Sequence, residues 1–206
     1  MKTKIVVLTL FSLWNIAVVF AQDRTTITAT NSDISDNLDL RAVASIFGDS
    51  DNLNDFEVRL NDPNAKISNL DLNGDNQVDY LRVIESVERN THLIIIQSVI
   101  GPNNYQDIAT VEIEKDSNNR VQIQVVGDVF MYGNNYIYEP VYSYAPLIYT
   151  SFWANNYVPY CSAYSWGYYP NSYVFWSPFS IFAYHNHIGN FINQSIMISS
   201  NLCSNS

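Results

Sequence analysis

The chain has 206 residues, with 20 acidic against 10 basic side chains and a formal net charge of −10. That length suits one domain, or one domain and an extension. So negative a chain is a poor partner for nucleic acid or an anionic membrane surface, and a natural one for divalent cations.

Residues 1–21 read as a secretory signal peptide. Lys2 and Lys4 give a basic start, residues 5–20 are largely apolar, and Val19-Phe20-Ala21 places small residues at −3 and −1, so cleavage is expected before Gln22. The apolar stretch is shorter than the roughly 20 residues that a membrane span needs. Without Lys2 and Lys4 the mature chain carries 8 basic against 20 acidic side chains, a net of −12. A secreted or periplasmic location follows, with 22–35 a flexible lead. In such an oxidising compartment Cys161 and Cys203 either pair or remain free thiols.

The next segment has helical periodicity. Leu40, Val43, Ala44 and Phe47 share one face, with Asp36 or Asn37 as N-cap and Gly48 as the stop. A second short helix is expected to start at Ser50, to place Leu53, Phe56 and Leu60 on one face, and to end before Pro63.

Between 71 and 79 the chain reads DLNGDNQVD, which puts oxygen-bearing side chains at loop positions 1, 3, 5 and 9. Calcium takes six to eight oxygens at about 2.3–2.6 Å, and alternate loop positions can turn theirs inward. Asp71, Asn73, Asp75 and Asp79, with the backbone carbonyl of Gln77 at position 7, are the expected metal ligands. Asn76 stands at position 6, where glycine is usual, and Asn tolerates the left-handed conformation better than most residues. Arg82 stands at position 12, where a bidentate Glu is expected, so affinity should be weak, with Kd on the order of 0.1–1 mM. The competing reading is a surface turn in which Asp and Asn bond their own backbone. Three carboxylates held together with no cation would repel one another. Because strand residues follow, the loop resembles the Asp-rich calcium loops of integrin-type propeller repeats, although one copy excludes a propeller. Calcium here is expected to be structural.

After the loop the period becomes two. Strands are predicted over 78–87 and 93–100, joined by the turn at 88–91, and a further turn occupies 101–104. Ala109, Val111 and Ile113 then point inward, followed by a turn at 116–119 and by Val121, Ile123 and Val125. The fold class is therefore α+β: two short N-terminal helices packed on a four-stranded antiparallel meander, spanning 36–139.

From Pro140 to Ser206 there is no Asp, Glu, Lys or Arg, and there are 18 aromatic residues. This composition break marks 140–206 as an irregular, aromatic-rich tail, interrupted by Pro146, Pro159, Pro170 and Pro178. It reads as a surface for an envelope protein or polysaccharide. Alternatives are a glycan-binding element, whose aromatic faces stack on sugar rings, and a low-complexity extension. Asn and Pro interrupt every candidate membrane span within it.

Catalysis finds little support. His92 heads a strand, His185 and His187 lack a third metal ligand, and Glu112 and Glu114 lie on a wet strand face. No phosphate loop or nucleophile elbow is present. A non-enzymatic calcium-binding protein is expected, with an uncharacterised enzyme as the alternative.

The runs NLDLNGDNQVDYLRVIE at 69–85, QDIATVEIE at 106–114 and VVGD at 125–128 resemble uncharacterised secreted proteins of Bacteroidota-type bacteria. So do DLRAVASIF at 39–47 and YGNNYIYEP at 132–140. The resemblance covers roughly 36–140 and implies an EF-hand-like calcium loop at Asp71, Asn73, Asp75 and Asp79, an envelope or extracellular location and no enzymatic activity.

Overall fold

Residues 36–204 are described in the computed structural model, as backbone only beyond Gln194. The expected signal peptide at 1–21 and the segment 22–35 lie outside the described residues. Helix α1 (Leu40–Gly48) buries Leu40, Val43, Ala44 and Phe47, as the periodicity predicts. Its N-cap is Asp39, not Asp36 or Asn37: the Asp39 carboxylate accepts the Arg41 N–H at 2.8 Å. The shift follows from Leu38, which is fully buried and bridged to Ser68, so the chain is still extended there. Helix α2 (Leu53–Leu60) starts later than Ser50. Asn52 caps it through the Asp55 N–H, while the buried Ser50 hydroxyl donates back to Ile46 O at 2.7 Å.

Five strands, rather than four, form one antiparallel sheet in sequential order: β1 (Leu81–Glu88), β2 (Thr91–Gly101), β3 (Asn104–Lys115), β4 (Val121–Gly127) and β5 (Ile137–Tyr138). The α+β class stands. β5 was missed because it has two residues, too few to show a period, and its pairing with Val125 and Val126 is what defines it. β1 starts three residues after Val78, because 78–80 is held by other partners. The Val78 N–H goes to Trp176 O, the Asp79 N–H to Leu70 O, and Tyr80 O takes the Val99 N–H. Val83, Ile94, Ile96, Val111, Ile113 and Val125 form the inner face of the sheet and pack with α1 and α2.

The segment after Glu139 is built into this core. Short helix α3 (Val129–Tyr132) precedes β5, and α4 (Tyr149–Phe152) and α5 (Ile181–Ser204) follow it. Ile148, Phe152, Tyr184 and Ile188 belong to the main core, and Tyr173 and Trp176 form a second cluster with Val78, Tyr80 and Val99. The expected irregular tail is corrected to that extent. Its strand-free stretches are ordered by ring packing and by phenols bonded to distant backbone. Tyr142 donates to Ala44 O (2.7 Å), Tyr173 to Val78 O (2.8 Å) and Tyr184 to Ile67 O (2.6 Å). A buried phenol needs such a partner, which is why tyrosine serves here where phenylalanine would leave a carbonyl unmet. The sharp change of composition at 139–140 is therefore not a break in packing. No helix among the described residues is long and apolar enough to cross a membrane.

Removing 140–206 should consequently unfold the remainder rather than release an independent domain. A chain ending at Glu139 is expected to lose near-ultraviolet circular dichroism and bind a hydrophobic dye. A truncated chain with a cooperative transition equal to that of the parent would refute this.

Candidate metal loop and the buried carboxylates behind it

The 71–79 loop is closed at its neck by the Asp79 N–H on Leu70 O at 2.8 Å. Gly74 and Asn76 take φ of +75° and +62°, so Asn76 does adopt the left-handed conformation that its position demands. These two reversals aim successive N–H groups at the side chains. Asp71 Oδ1 accepts from the N–H of Gly74 (2.8 Å) and Asp75 (3.1 Å), and its Oδ2 accepts from that of Asn76 (2.9 Å). Asn73 Oδ1 accepts the Asp75 N–H, and Asp75 Oδ1 accepts the Gln77 N–H at 2.8 Å.

Asp79 differs from the others because it is buried, at 5% exposure. Its Oδ2 accepts the Leu72 N–H and the Ser98 hydroxyl, both at 2.8 Å, which ties the end of the loop to β2. Burial pushes the Asp79 carboxyl up to about 6, with a smaller upward push from the charges of Asp71 and Asp75, against the two donors.

The donor chemistry of these residues fits a hard cation: every side-chain donor is oxygen. A carboxylate has about four lone-pair sites, so Asp75 and Asp79, with two donors each, keep room for a metal contact, whereas Asp71 already accepts three N–H bonds. The convergence is incomplete, however. Among the described residues no three His, Cys, Asp or Glu side chains come together as a metal-holding group. Asp71 and Asp75 instead face the loop's own backbone, and a cation would have to draw them in.

The neck is clamped by the aromatic segment. The Asn69 side chain donates to Phe179 O (3.1 Å) and accepts the Phe179 N–H (2.6 Å), and Trp176 Nε1 reaches Ser68 O at 3.3 Å.

Two buried carboxylates went unread in the sequence. Glu57, 1% exposed, faces the core from α2. Its Oε1 accepts from the hydroxyls of Tyr80 (2.7 Å) and Ser162 (2.6 Å), and its Oε2 from the Val83 N–H (2.9 Å) and the Tyr160 hydroxyl (3.2 Å). Burial raises the Glu57 carboxyl above its ordinary 4.5, and these donors oppose the rise. Periodicity did carry a signal, since Leu53, Phe56, Glu57 and Leu60 occupy i, i+3, i+4 and i+7 of one stripe. Glu85 likewise alternates inward with Leu81 and Val83. Its Oε1 meets His92 Nδ1 at 2.6 Å, and its Oε2 accepts the Tyr157 hydroxyl (2.5 Å) and the Tyr160 N–H (2.8 Å). The side chains of Glu85 and His92 are 0% and 2% exposed, with the His92 ring packed against Phe152, Trp153 and Tyr157, so the pair is sealed from any substrate.

The remaining candidates do not assemble. His185 and His187 sit on α5 and part company: His187 Nε2 meets Ala65 O at 2.7 Å, and His185 lies 3.7 Å from Asp36. Glu114 is exposed, and Glu112 accepts from Gln124 Nε2 across the β3–β4 pair. Cys161 is an exposed free thiol, and the Cys203 side chain lies outside the described residues.

Glu57 generates a pH prediction. The folded chain holds this proton more tightly than the unfolded chain, so stability falls as pH rises from 4.5 towards the higher folded value. Glu57→Gln should remove that slope relative to the parent. It should also cost roughly 2–4 kcal/mol, because an amide places a donor against donors. Urea unfolding across about pH 4 to 7 measures both effects, and parallel pH profiles for parent and variant would contradict the assignment. Comparison of the chain with protein-family models, with curated proteins and with solved structures found no match.

Proposed function

We propose that this is a secreted or periplasmic, non-enzymatic calcium-binding protein, of the Bacteroidota-type secreted class it resembles, in which calcium is structural. The observation that carries the reading is the loop itself. Four side-chain oxygens stand at positions 1, 3, 5 and 9, around left-handed turns at Gly74 and Asn76, on a neck closed by Leu70 and Asp79. Asp71, Asn73, Asp75 and Asp79, with the Gln77 carbonyl, would hold the ion. Bound there, calcium supplies positive charge that offsets the mutual repulsion of three carboxylates. The protein's own contribution is positional. Asp79 connects the loop to Ser98 on β2, and Asn69 and Ser68 connect it to the aromatic segment. The aromatic segment is the interaction surface in this reading, facing an envelope component with its exposed rings, among them Tyr144, Trp166, Tyr168, Phe175 and Phe182.

Calorimetry on the whole chain lacking residues 1–21 tests the metal. Calcium is expected to bind with Kd on the order of 0.1–1 mM. At tenfold excess over Kd it should add about 1.4 kcal/mol of stability. Asp71→Ala and Asp75→Ala should abolish the heat while leaving the fold intact, since Asp75 is exposed and the half-buried Asp71 bonds only N–H groups of the loop itself. A flat titration at millimolar calcium, with the parent and both variants melting alike in calcium and in chelator, would sink the proposal.

A further inference from the structure

The far side of β4 is covered along only part of its length. β5 pairs with Val125 and Val126, so among the described residues no strand lies beside residues 121–124 on that side. The Gly127 N–H goes to Tyr136 O, on the β5 side of the strand. Backbone groups alternate along an antiparallel strand, so the N–H and C=O of Val121 and Ile123 point the same way, past the end of β5. Their side chains are partly buried and pack against the core. Gln122 and Gln124 turn to the other face, in register with Glu114 and Glu112 of β3. The chain leaving β5 does not close the gap: residues 139–141, with β4, Glu112 and Glu114, line a groove of about 570 Å³. An uncovered edge of this kind is a template for one more strand, and native sheets normally cover it.

The first described residues lie beside this edge. The Leu38 carbonyl accepts the Tyr132 hydroxyl at 2.8 Å. The Tyr132 ring rests on Gly127, the last residue of β4, where a Cβ would stand 2.5 Å from it, and it meets the Tyr136 ring at 4.9 Å. The segment that precedes Asp36 therefore joins the fold at the C-terminal end of β4. Within it, residues 25–30 read TTITAT. β-Branched residues dominate there and the pattern has a period of two, with Ile27 and Ala29 on one face and Arg24, Thr26, Thr28 and Thr30 on the other. The connection 31–35 spans up to about 17 Å when extended, against the roughly 10 Å of strand that separates Gly127 from Gln124.

We propose that residues 25–30 of the same chain add to the open edge of β4 as a further strand and fill the groove at residues 121–124. Residue 30 is nearest the connection at the Gly127 end, so the added strand runs parallel to β4. Ile27 and Ala29 turn to the core face beside Val121 and Ile123, which removes their apolar surface from water. Arg24 then falls on the opposite face, at the Val121 end, where Glu114 stands in register with Gln122. The carboxylates that line the groove, Glu112, Glu114 and Glu139, thus face threonines and one cation. A second copy paired edge to edge would instead set these carboxylates against their own counterparts. A tethered segment also acts at an effective concentration on the order of millimolar, which favours it over a free partner.

Amide hydrogen exchange of the whole chain lacking residues 1–21, read residue by residue by nuclear magnetic resonance, tests it. The Val121 and Ile123 amides are expected to exchange at least about tenfold more slowly than free amides. Ile27→Asp should abolish that protection, because it places a carboxylate on the core face. Arg24→Glu should lower it by roughly two- to fivefold, the loss of one exposed ion pair. The Ile94 and Val111 amides, inside β2 and β3, report that the sheet persists in each variant. Fast exchange at Val121 and Ile123 in the parent overturns the proposal, as does protection that both variants leave unchanged. Protection that disappears on about hundredfold dilution, with a dimer seen in sedimentation, assigns the edge to a second copy and overturns it as well.

Discussion

A carboxylate sealed inside the protein dictates how its parts meet. An ionised Glu57 buried without donors would cost far more than the fold could recover, so four donors must reach it. They come from three places. Tyr80 and Val83 arrive with the first strand, Tyr160 and Ser162 with the aromatic segment, and Glu57 itself rides on α2. None of these elements can move away without exposing or orphaning a charge. The Glu85–His92 pair repeats the device at the other end of β1, where Tyr157 and the Tyr160 N–H close the second carboxylate. Two inward carboxylates thus fasten the uncharged part of the chain to the charged part.

The same need explains why the uncharged part is so rich in tyrosine. The loops at 67–70 and 78–80 lie outside the sheet ladder and leave backbone carbonyls that regular structure does not serve. Phenols and one indole serve them: Tyr184 at Ile67, Trp176 at Ser68, Tyr173 at Val78. Each ring fills core volume with its body and answers a polar group with its tip. Tyr142 shows how close the fit is. It lies across α1 with its hydroxyl on Ala44 O, and any Cβ at Gly48 would overlap its ring.

This division also accounts for what the sequence could disclose. Helices α1 and α2 and the strands β1 to β4 are local patterns of period 3.6 or 2, so Leu40, Val43 and Phe47, or Val121, Ile123 and Val125, announce them. The loop turns were legible too, because Gly74 and Asn76 are residue types that tolerate positive φ. The order after Glu139 was not legible, because it arises from contacts with no period, such as Tyr184 with Ile67, 117 residues apart. Glu57 and Glu85 stood in plain apolar patterns, yet a carboxylate is read as solvated until its donors are known, and the donors Ser162 and Tyr157 lie far along the chain. The convergence of Asp71, Asp75 and Asp79 was the opposite case. Their spacing is local and suggestive, but whether three carboxylates close on one point depends on side-chain rotation that spacing does not encode.

The loop and the aromatic segment are mechanically one unit. Val78 exchanges bonds with both Trp176 and Tyr173, Asn69 grips Phe179 through both its oxygen and its nitrogen, and Leu70 closes on Asp79 between them. A ligand that orders one side therefore lowers the entropic cost of ordering the other, and the coupling must be reciprocal. A cation held by Asp71, Asp75 and Asp79 would stiffen the neck on which Tyr173 and Trp176 rest. A partner stacked on Phe175, whose ring lies against Tyr173, would, by the same bonds, hold the neck in the form that presents Asp79. The strength of that coupling is bounded by how loose the neck is without ligand. With so many bonds across it already formed, most of the ordering is done by the fold itself, and each ligand has little left to add to the affinity of the other. Such an arrangement favours a permanently set surface over a switch. It agrees with Asp79 being anchored to Ser98 on a central strand rather than to a helix free to swing.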